Sequence, residues 1–407
     1  TSICVVGRKV AGFTMTKNSG RFLSTSIILL TFSHLFNDFY AGFLMPLLSH
    51  FQSHLHLTIT QVSILPTILA VFGSILQPVF GFLGDRFNKK LFVVSGVLCS
   101  ALFMSCIGLA PNFTALIFML MIGASGVAAF HPNGAATVAS LTRNKSTFMM
   151  SLFLMVGCLG LALAPFFIAL IVSSGGFNKL WLLSLPGVIL SLILIKTLTI
   201  DHENKSSTKL SDFKILFARK SRPLWIMFSI MFIRSLVITS FMSFMSILFT
   251  ERGLTMHRSG IAISTFVICG SIGGLIGGYL ADRISRKIII ASSSIFACPL
   301  LLWFLHAGGN FSMILLGLSG MVIFGASAVN ILIVQRLCPD MAGSIAGISM
   351  GLVWGSAGLM LPVIGYIADH YSMETSLIIA ASMLPIAGML VLLLPNIDRP
   401  ANDLSKE

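Results

Sequence analysis

Apolar runs long enough to cross a bilayer recur along almost the whole of this chain. Residues 24–49, 59–83 and 91–110 each come close to or exceed the roughly 20 residues that a helix needs to span about 30 Å of hydrocarbon. One such run suits a buried core helix equally well, but a long series does not. Further runs lie at 113–141, 147–172, 180–200, 222–250, 259–281, 287–307, 311–336, 343–368 and 375–395, making twelve. With 56% hydrophobic and only 10% charged residues, the chain has too little polar surface to coat a soluble globule of its size. Lipid must be its main solvent, and the fold class expected is an all-α membrane protein of twelve transmembrane helices.

The positive charges test that count. Cytoplasmic loops of membrane proteins are enriched in Lys and Arg. If the N-terminus is inside, the cytoplasmic set includes Arg8, Lys9, Lys17 and Arg21, then Arg86, Lys89 and Lys90, then Arg143 and Lys145. It continues with the six basic residues from Lys205 to Arg222, with Arg283, Arg286 and Lys287, and with Arg336, Arg399 and Lys406. Lys179, Arg252 and Arg258 fall on the other side. One missed span would scramble this bias, so the chain is expected to sit in a bacterial inner (plasma) membrane with both termini in the cytoplasm.

The expected organisation is a tail at 1–23, a six-helix bundle at 24–200, a polar linker at 201–221, a second bundle at 222–395 and a tail at 396–407. Residues 1–20 lack the apolar core and cleavage site of a signal peptide. The formal charge of +13 is dispersed over loops instead of forming one face, so nucleic acid is not an expected partner. The seven cysteines stand singly and show no zinc or redox spacing; no metal or cofactor is expected.

The two halves repeat one another. GFLGDRFNKK at 81–90 returns as GYLADRISRK at 278–287, and GCLGLALAP at 157–165 returns as GSAGLMLP at 355–362. Two echoes at nearly the same offset indicate duplication of a six-helix unit. The doubled loop, between spans 2 and 3 and again between spans 8 and 9, resembles the signature loop of the major facilitator superfamily. That resemblance implies two pseudo-symmetric six-helix bundles and casts Asp85, Arg86, Asp282 and Arg283 as residues of a cytoplasmic gate. The first copy departs from the pattern at Gly84 and Asn88 while keeping its charges. A plain basic membrane anchor is the alternative reading of the same residues.

SHLFNDFY in span 1, FHPNGAATVAS in span 4 and SIAGISMGLVWGSAGLMLPVIGYIADHYSMETS through span 11 resemble, more narrowly, the fosmidomycin-resistance group of drug/proton antiporters within that superfamily. Asn133 departs from that group, whose members often carry Glu after the His-Pro pair.

Ionisable groups at mid-depth cost about 2.5–3.5 kcal/mol each on insertion scales, so each needs a reason to be there. Asp38 lies well inside span 1, with His34 four residues earlier on the same helical face and Asn37 beside them. A carboxylate next to an imidazole suits a proton relay; a structural His–Asp bond fits equally. His131, followed by Pro132, either lines a cavity where the helix is broken or packs quietly. Arg234, deep in span 7, either pairs with Asp38, binds an anion, or alternates between them.

In the resembled fold, spans 1, 4, 7 and 10 line the central cavity. The resemblance thus implies that His34, Asp38, His131 and Arg234 surround one site, with Asn330 and Gln335 adding hydrogen bonds. Gly157, Gly160 and Pro165 in span 5 and Gly351, Gly355, Gly358 and Pro362 in span 11 let helices approach closely, or act as hinges.

These features together point to secondary active transport: proton-coupled export of a small drug-like or anionic solute by a monomer that draws on the proton gradient. Uptake of an anionic nutrient by proton symport uses the same residues. A non-transporting sensor fits less well, and an enzyme would require paired catalytic acids or a metal cluster that the sequence does not display.

Overall fold

Twelve apolar helical spans organise the computed structural model, which describes residues 17–141, 146–174, 176–198, 222–281, 283–338 and 342–395. In chain order, spans 1–6 are Thr25–His54, Ile59–Arg86, Lys89–Leu109, Phe113–Leu141, Leu152–Ser173 and Phe177–Thr197. Spans 7–12 are Arg222–Glu251, Met256–Ala281, Arg286–His306, Gly309–Leu337, Ser349–His370 and Met373–Leu393. The twelve expected runs are therefore present. The first helix already begins at Lys17, ahead of the expected boundary at 24. The linker 201–221, the tail 396–407 and the gate residue Asp282 lie outside the described residues.

Several spans are interrupted, each where the local sequence cannot continue a regular helix. Span 2 runs as Ile59–Ala70, passes through a wide turn at Val71–Ile75 and resumes as Gln77–Arg86 with Pro78 in its first turn. Span 11 does the same, ending one helix at Leu359 and starting the next at Leu361 with Pro362. Proline has no N–H to donate, and in lipid such breaks persist only where protein encloses them. Pro132 sits inside the unbroken helix of span 4.

Packing divides the molecule by depth. The largest apolar core draws on both halves, joining Phe43, Leu44 and Leu48 of span 1 to Phe241, Phe244 and Leu248 of span 7 and to Phe304 and Leu377. Two smaller cores each stay within one half: Leu30, Val93, Phe130, Phe153 and Leu194 form one, and Leu224, Met227, Ile289, Val334 and Val391 form the other. Val93 and Ile289 lie just beyond the loops that carry Asp85 and Arg283. The halves are thus fused at one face and separate at the face that bears the duplicated loop.

Across the fused face, span 2 packs on span 11, span 5 on span 8 and span 1 on span 7. The glycines of span 11 face span 2 of the other half: a Cβ on Gly351 would meet the Ser74 carbonyl oxygen at 3.0 Å, and one on Gly355 would collide with Ile75. Thr67 Oγ1 donates to the Gly358 carbonyl at 2.7 Å, and Ser246 Oγ to the Met45 carbonyl at 3.1 Å. The glycines of span 5 instead face span 1 within their own half, Gly157 against the His34 ring and Gly160 against the Leu35 backbone.

Candidate functional site

Asp38 is held between two histidines at mid-depth. His34 Nε2 stands 3.3 Å from Asp38 Oδ2, and His131 Nε2 of span 4 stands 3.1 Å from Oδ1. The His131 contact is an ion pair only when that imidazole carries a second proton. The i, i+4 spacing in span 1 aligns the first pair; the second needs the fold, because 93 residues separate its members. The Asp38 and His131 side chains are 15% and 26% exposed, whereas that of His34 is 3% exposed.

His34 is fixed from all sides. Its ring stacks on Phe153 with centroids 4.1 Å apart and meets His131 edge-on at 5.1 Å. Its Nδ1 lies 2.7 Å from the Phe153 carbonyl oxygen. A carbonyl only accepts, so Nδ1 carries a hydrogen. Nε2 would then present a lone pair to the carboxylate unless another proton sits on Nε2 or on Asp38. The arrangement therefore requires one exchangeable proton between His34 and Asp38 that the rest of the structure does not supply.

The same groups form a donor set absent from the sequence spacing. Ligand atoms of His34, Asp38 and His131 lie within 4.8 Å of one another, and two imidazoles with one carboxylate could hold a transition metal. The sequence reading, which looked for ligands close in sequence, expected no metal; these donors come from two helices.

Arg234 is not part of this cluster. Its Nη1 donates to Ser293 Oγ at 3.0 Å and Ser294 Oγ at 2.5 Å in span 9, and Nη2 donates to the Ile323 carbonyl of span 10. The residue is 2% exposed. Both serine hydroxyls spend their own hydrogens on the Ile290 carbonyl, which leaves lone pairs for the guanidinium. Of the alternatives open for Arg234, the pairing with Asp38 is not what the structure adopts: Asp38 is occupied by two histidines and Arg234 by its own bundle. Among the described residues, no carboxylate lies within ion-pair distance of Arg234.

The other expected residues divide similarly. Asn37 is fully buried and accepts from Ser100 Oγ of span 3 at 3.1 Å, so it fastens span 1 to a neighbour. Asn330 is 5% exposed with its Oδ1 unpartnered, and Gln335 is half-buried in the same helix. Asp85 binds Lys89 of its own loop at 2.8 Å, and the Arg283 guanidinium lies over the Tyr279 ring at 4.3 Å. Among the described residues, no hydrogen bond or ion pair ties Asp85, Arg86 or Arg283 to the opposite half.

Asn133 has a role that its sequence position did not reveal. It is 1% exposed and donates from Nδ2 to the Ala129 carbonyl at 2.9 Å and the Phe80 carbonyl at 3.1 Å, pinning span 4 to span 2. A methyl group at Gly84 would land on the Asn133 amide. Two of the three departures noted in the sequence, Gly84 and Asn133, therefore meet face to face. Gly157 was read as packing or a hinge, with no link to the site, yet a Cβ there would lie 2.5 Å from the His34 ring.

The profile of the Major Facilitator Superfamily matches residues 29–362. The chain belongs to that superfamily. It is similar to the fosmidomycin resistance protein of Escherichia coli (strain K12), at 25% identity over 373 residues covering 90% of this chain and 92% of the relative. It is also similar to multidrug resistance protein 1 of Bacillus subtilis (strain 168), at 28% identity over 270 residues covering 64% of this chain and 67% of the relative. Among solved structures, a bacterial homologue of the human lysosomal transporter Spinster, in an inward-facing and unoccupied conformation, superposes with a TM-score of 0.80 at 13% identity, covering 96% of this chain and 98% of that one. This superfamily member is thus a multi-pass membrane transporter with the twelve-helix, two-bundle fold.

Proposed function

We propose that this transporter exports a small anionic or drug-like solute from a bacterial cell across the plasma membrane in exchange for protons, as a monomer working by alternating access with the Asp85 face cytoplasmic. The observation that carries the reading is the His34–Asp38–His131 cluster. With Nδ1 of His34 committed to the Phe153 carbonyl, the His34–Asp38 contact is favourable when a proton is present and repulsive when it is lost. A solute cycle that exposes the cluster to each face in turn would load and unload that proton. No cofactor beyond the proton gradient is required.

The anion preference rests on Arg234. A guanidinium buried against neutral groups leaves a positive charge at mid-depth in the second half, and a low-dielectric surround strengthens its attraction for a negative solute. The names of the fosmidomycin and multidrug resistance relatives support export of drug-like compounds.

The test is transport by purified protein in proteoliposomes, with phosphonates, carboxylates and amphiphilic cations as probes. Asp38→Asn is expected to lose gradient-driven transport while retaining solute counterflow, which needs no net proton movement. Undiminished gradient-driven flux in that variant would refute the coupling role, and a profile restricted to cations would refute the anion preference. Imposing the pH gradient in either direction separates export by exchange from proton-linked uptake.

A further inference from the structure

The duplicated loop motif has a third copy, at the opposite face of the membrane. Residues 362–370 read PVIGYIADH, and residues 78–86 read PVFGFLGDR; Pro, Val, Gly and Asp coincide, and an aromatic residue follows the glycine in both. The second-half copy at 278–283, GYLADR, differs from GYIADH at two positions. The first and third copies share a local form as well, each a ten-residue helix with Pro in its first turn: Gln77–Arg86 and Leu361–His370. Spans 2 and 8 end at the separated face. Span 11 ends at the fused face, because its last turn packs on the beginning of span 2.

There Asp369 makes a connection that Asp85 of the first copy does not show. The Ile59 N–H donates to Asp369 Oδ1 at 2.7 Å, and the Thr60 N–H and Oγ1–H donate to Oδ2 at 2.8 and 2.6 Å. Ile59 and Thr60 open span 2, where the first N–H groups have no intrahelical acceptor. The next one, on Gln61, is taken by Thr58 Oγ1 at 3.1 Å within the same turn. The cap of span 2 is therefore shared between the halves: Thr58 supplies one acceptor from its own half, and Asp369 supplies two from the other. Gly365 lets the helices approach closely enough, since a Cβ there would stand 2.7 Å from Ser63 Oγ and 2.9 Å from the Ile59 carbonyl oxygen.

At the separated face the first copy is turned inward on its own half. Asp85 binds Lys89, and a Cβ on Gly81 would meet Pro132 of span 4 at 3.3 Å. Gly278 has nothing within 4 Å. The copy at the closed face bridges the halves; among the described residues of the open face, Asp85 stays within its own.

We propose that Asp369 is the positioning residue of a second gate: it latches span 11 onto the first turn of span 2 whenever its own face is closed, and lets go when that face opens. Separation of the halves there necessarily breaks all three hydrogen bonds, while the Thr58 cap stays with span 2. The proposal rests on the alternating-access reading above, but concerns closure alone, so it needs neither a known solute nor proton coupling.

The experiment measures the distance between spin labels on Ser174→Cys, after span 5, and Asn310→Cys, at the start of span 10, in a full-length protein whose native cysteines are replaced. No solute or gradient is applied. Both sites are exposed and lie in different halves at the latched face. Charge-assisted hydrogen bonds at an exposed site predict a roughly three- to tenfold rise in the open-to-closed ratio for Asp369→Asn. Asp369→Glu, which can still cap the turn, is expected to stay near the wild-type ratio. Should Asp369→Asn not fold, Thr60→Val removes one donor and predicts a smaller shift in the same direction. An unchanged distance distribution in a folded Asp369→Asn or Thr60→Val protein overturns the proposal. Undiminished gradient-driven flux in Asp38→Asn beside a shifted Asp369→Asn distance means that the coupling reading has failed and the latch stands; lost flux beside an unshifted distance means the reverse.

Discussion

His34 is the residue on which the site turns, because its ring has no freedom left. Phe153 stacks on it at 4.1 Å and takes its Nδ1 hydrogen at 2.7 Å, while Gly157 leaves just enough room alongside. Gly157→Ala would push a methyl group to 2.5 Å from the ring. The ring must then give up the Phe153 carbonyl or the Asp38 contact. Overpacking of this kind costs about 1–3 kcal/mol. The expected outcome is a lower unfolding temperature together with a displaced pH profile of transport, read by thermal melting and by flux in proteoliposomes. A variant with a wild-type profile would show that the ring position does not govern coupling. The i, i+4 relation of His34 and Asp38 was legible in the sequence, since helical periodicity alone sets it. Nothing in the sequence announced the Phe153 carbonyl, because a backbone acceptor carries no residue-type signal.

At the scale of elements, breaks and small residues decide which helices touch. Span 2 meets span 4 through Asn133, whose amide fills the space that Gly84 leaves empty. Gly84→Ala is expected to destabilise the protein by about 1–2 kcal/mol, as the amide gives up a buried hydrogen bond. Asn133→Ala in the same chain should recover part of that loss, a non-additivity that thermal unfolding of the single and double variants would reveal. Strictly additive effects would mean that the two positions do not communicate. The sequence displayed Gly84 as a departure from the superfamily loop and Asn133 as one from the narrower group without linking them, because they lie on different spans. The motif copy at 365–370 was likewise written in the chain, yet its meaning depends on which helix end it faces.

For the molecule as a whole, the division into one shared core and two separate ones describes a transporter closed at one face and parted at the other. The shared core and the bonds from Thr67 to Gly358 and from Ser246 to Met45 must come apart if the closed face is to open. A disulfide between Met45→Cys and Ser246→Cys, in an otherwise cysteine-free chain, is expected to stop transport, and reduction should restore it. Measuring flux before and after reductant checks this; full activity in the cross-linked protein would rule out opening at that face.

The sequence by itself determined the solvent, the number of spans and the duplication, since each of these follows from apolar length, the dispersion of charge and an offset between like segments. It also determined that Asp38 and Arg234 had to find partners, because unpaired charge is not tolerated in lipid. Only the tertiary structure decided who those partners are. Two histidines close on Asp38, while two serines and a carbonyl take Arg234 into its own bundle. The physical reason is that hydrogen-bonding capacity is spread over many serines, histidines and carbonyls. Which of them meet a given charge depends on helix rotation and depth, and packing between spans sets both.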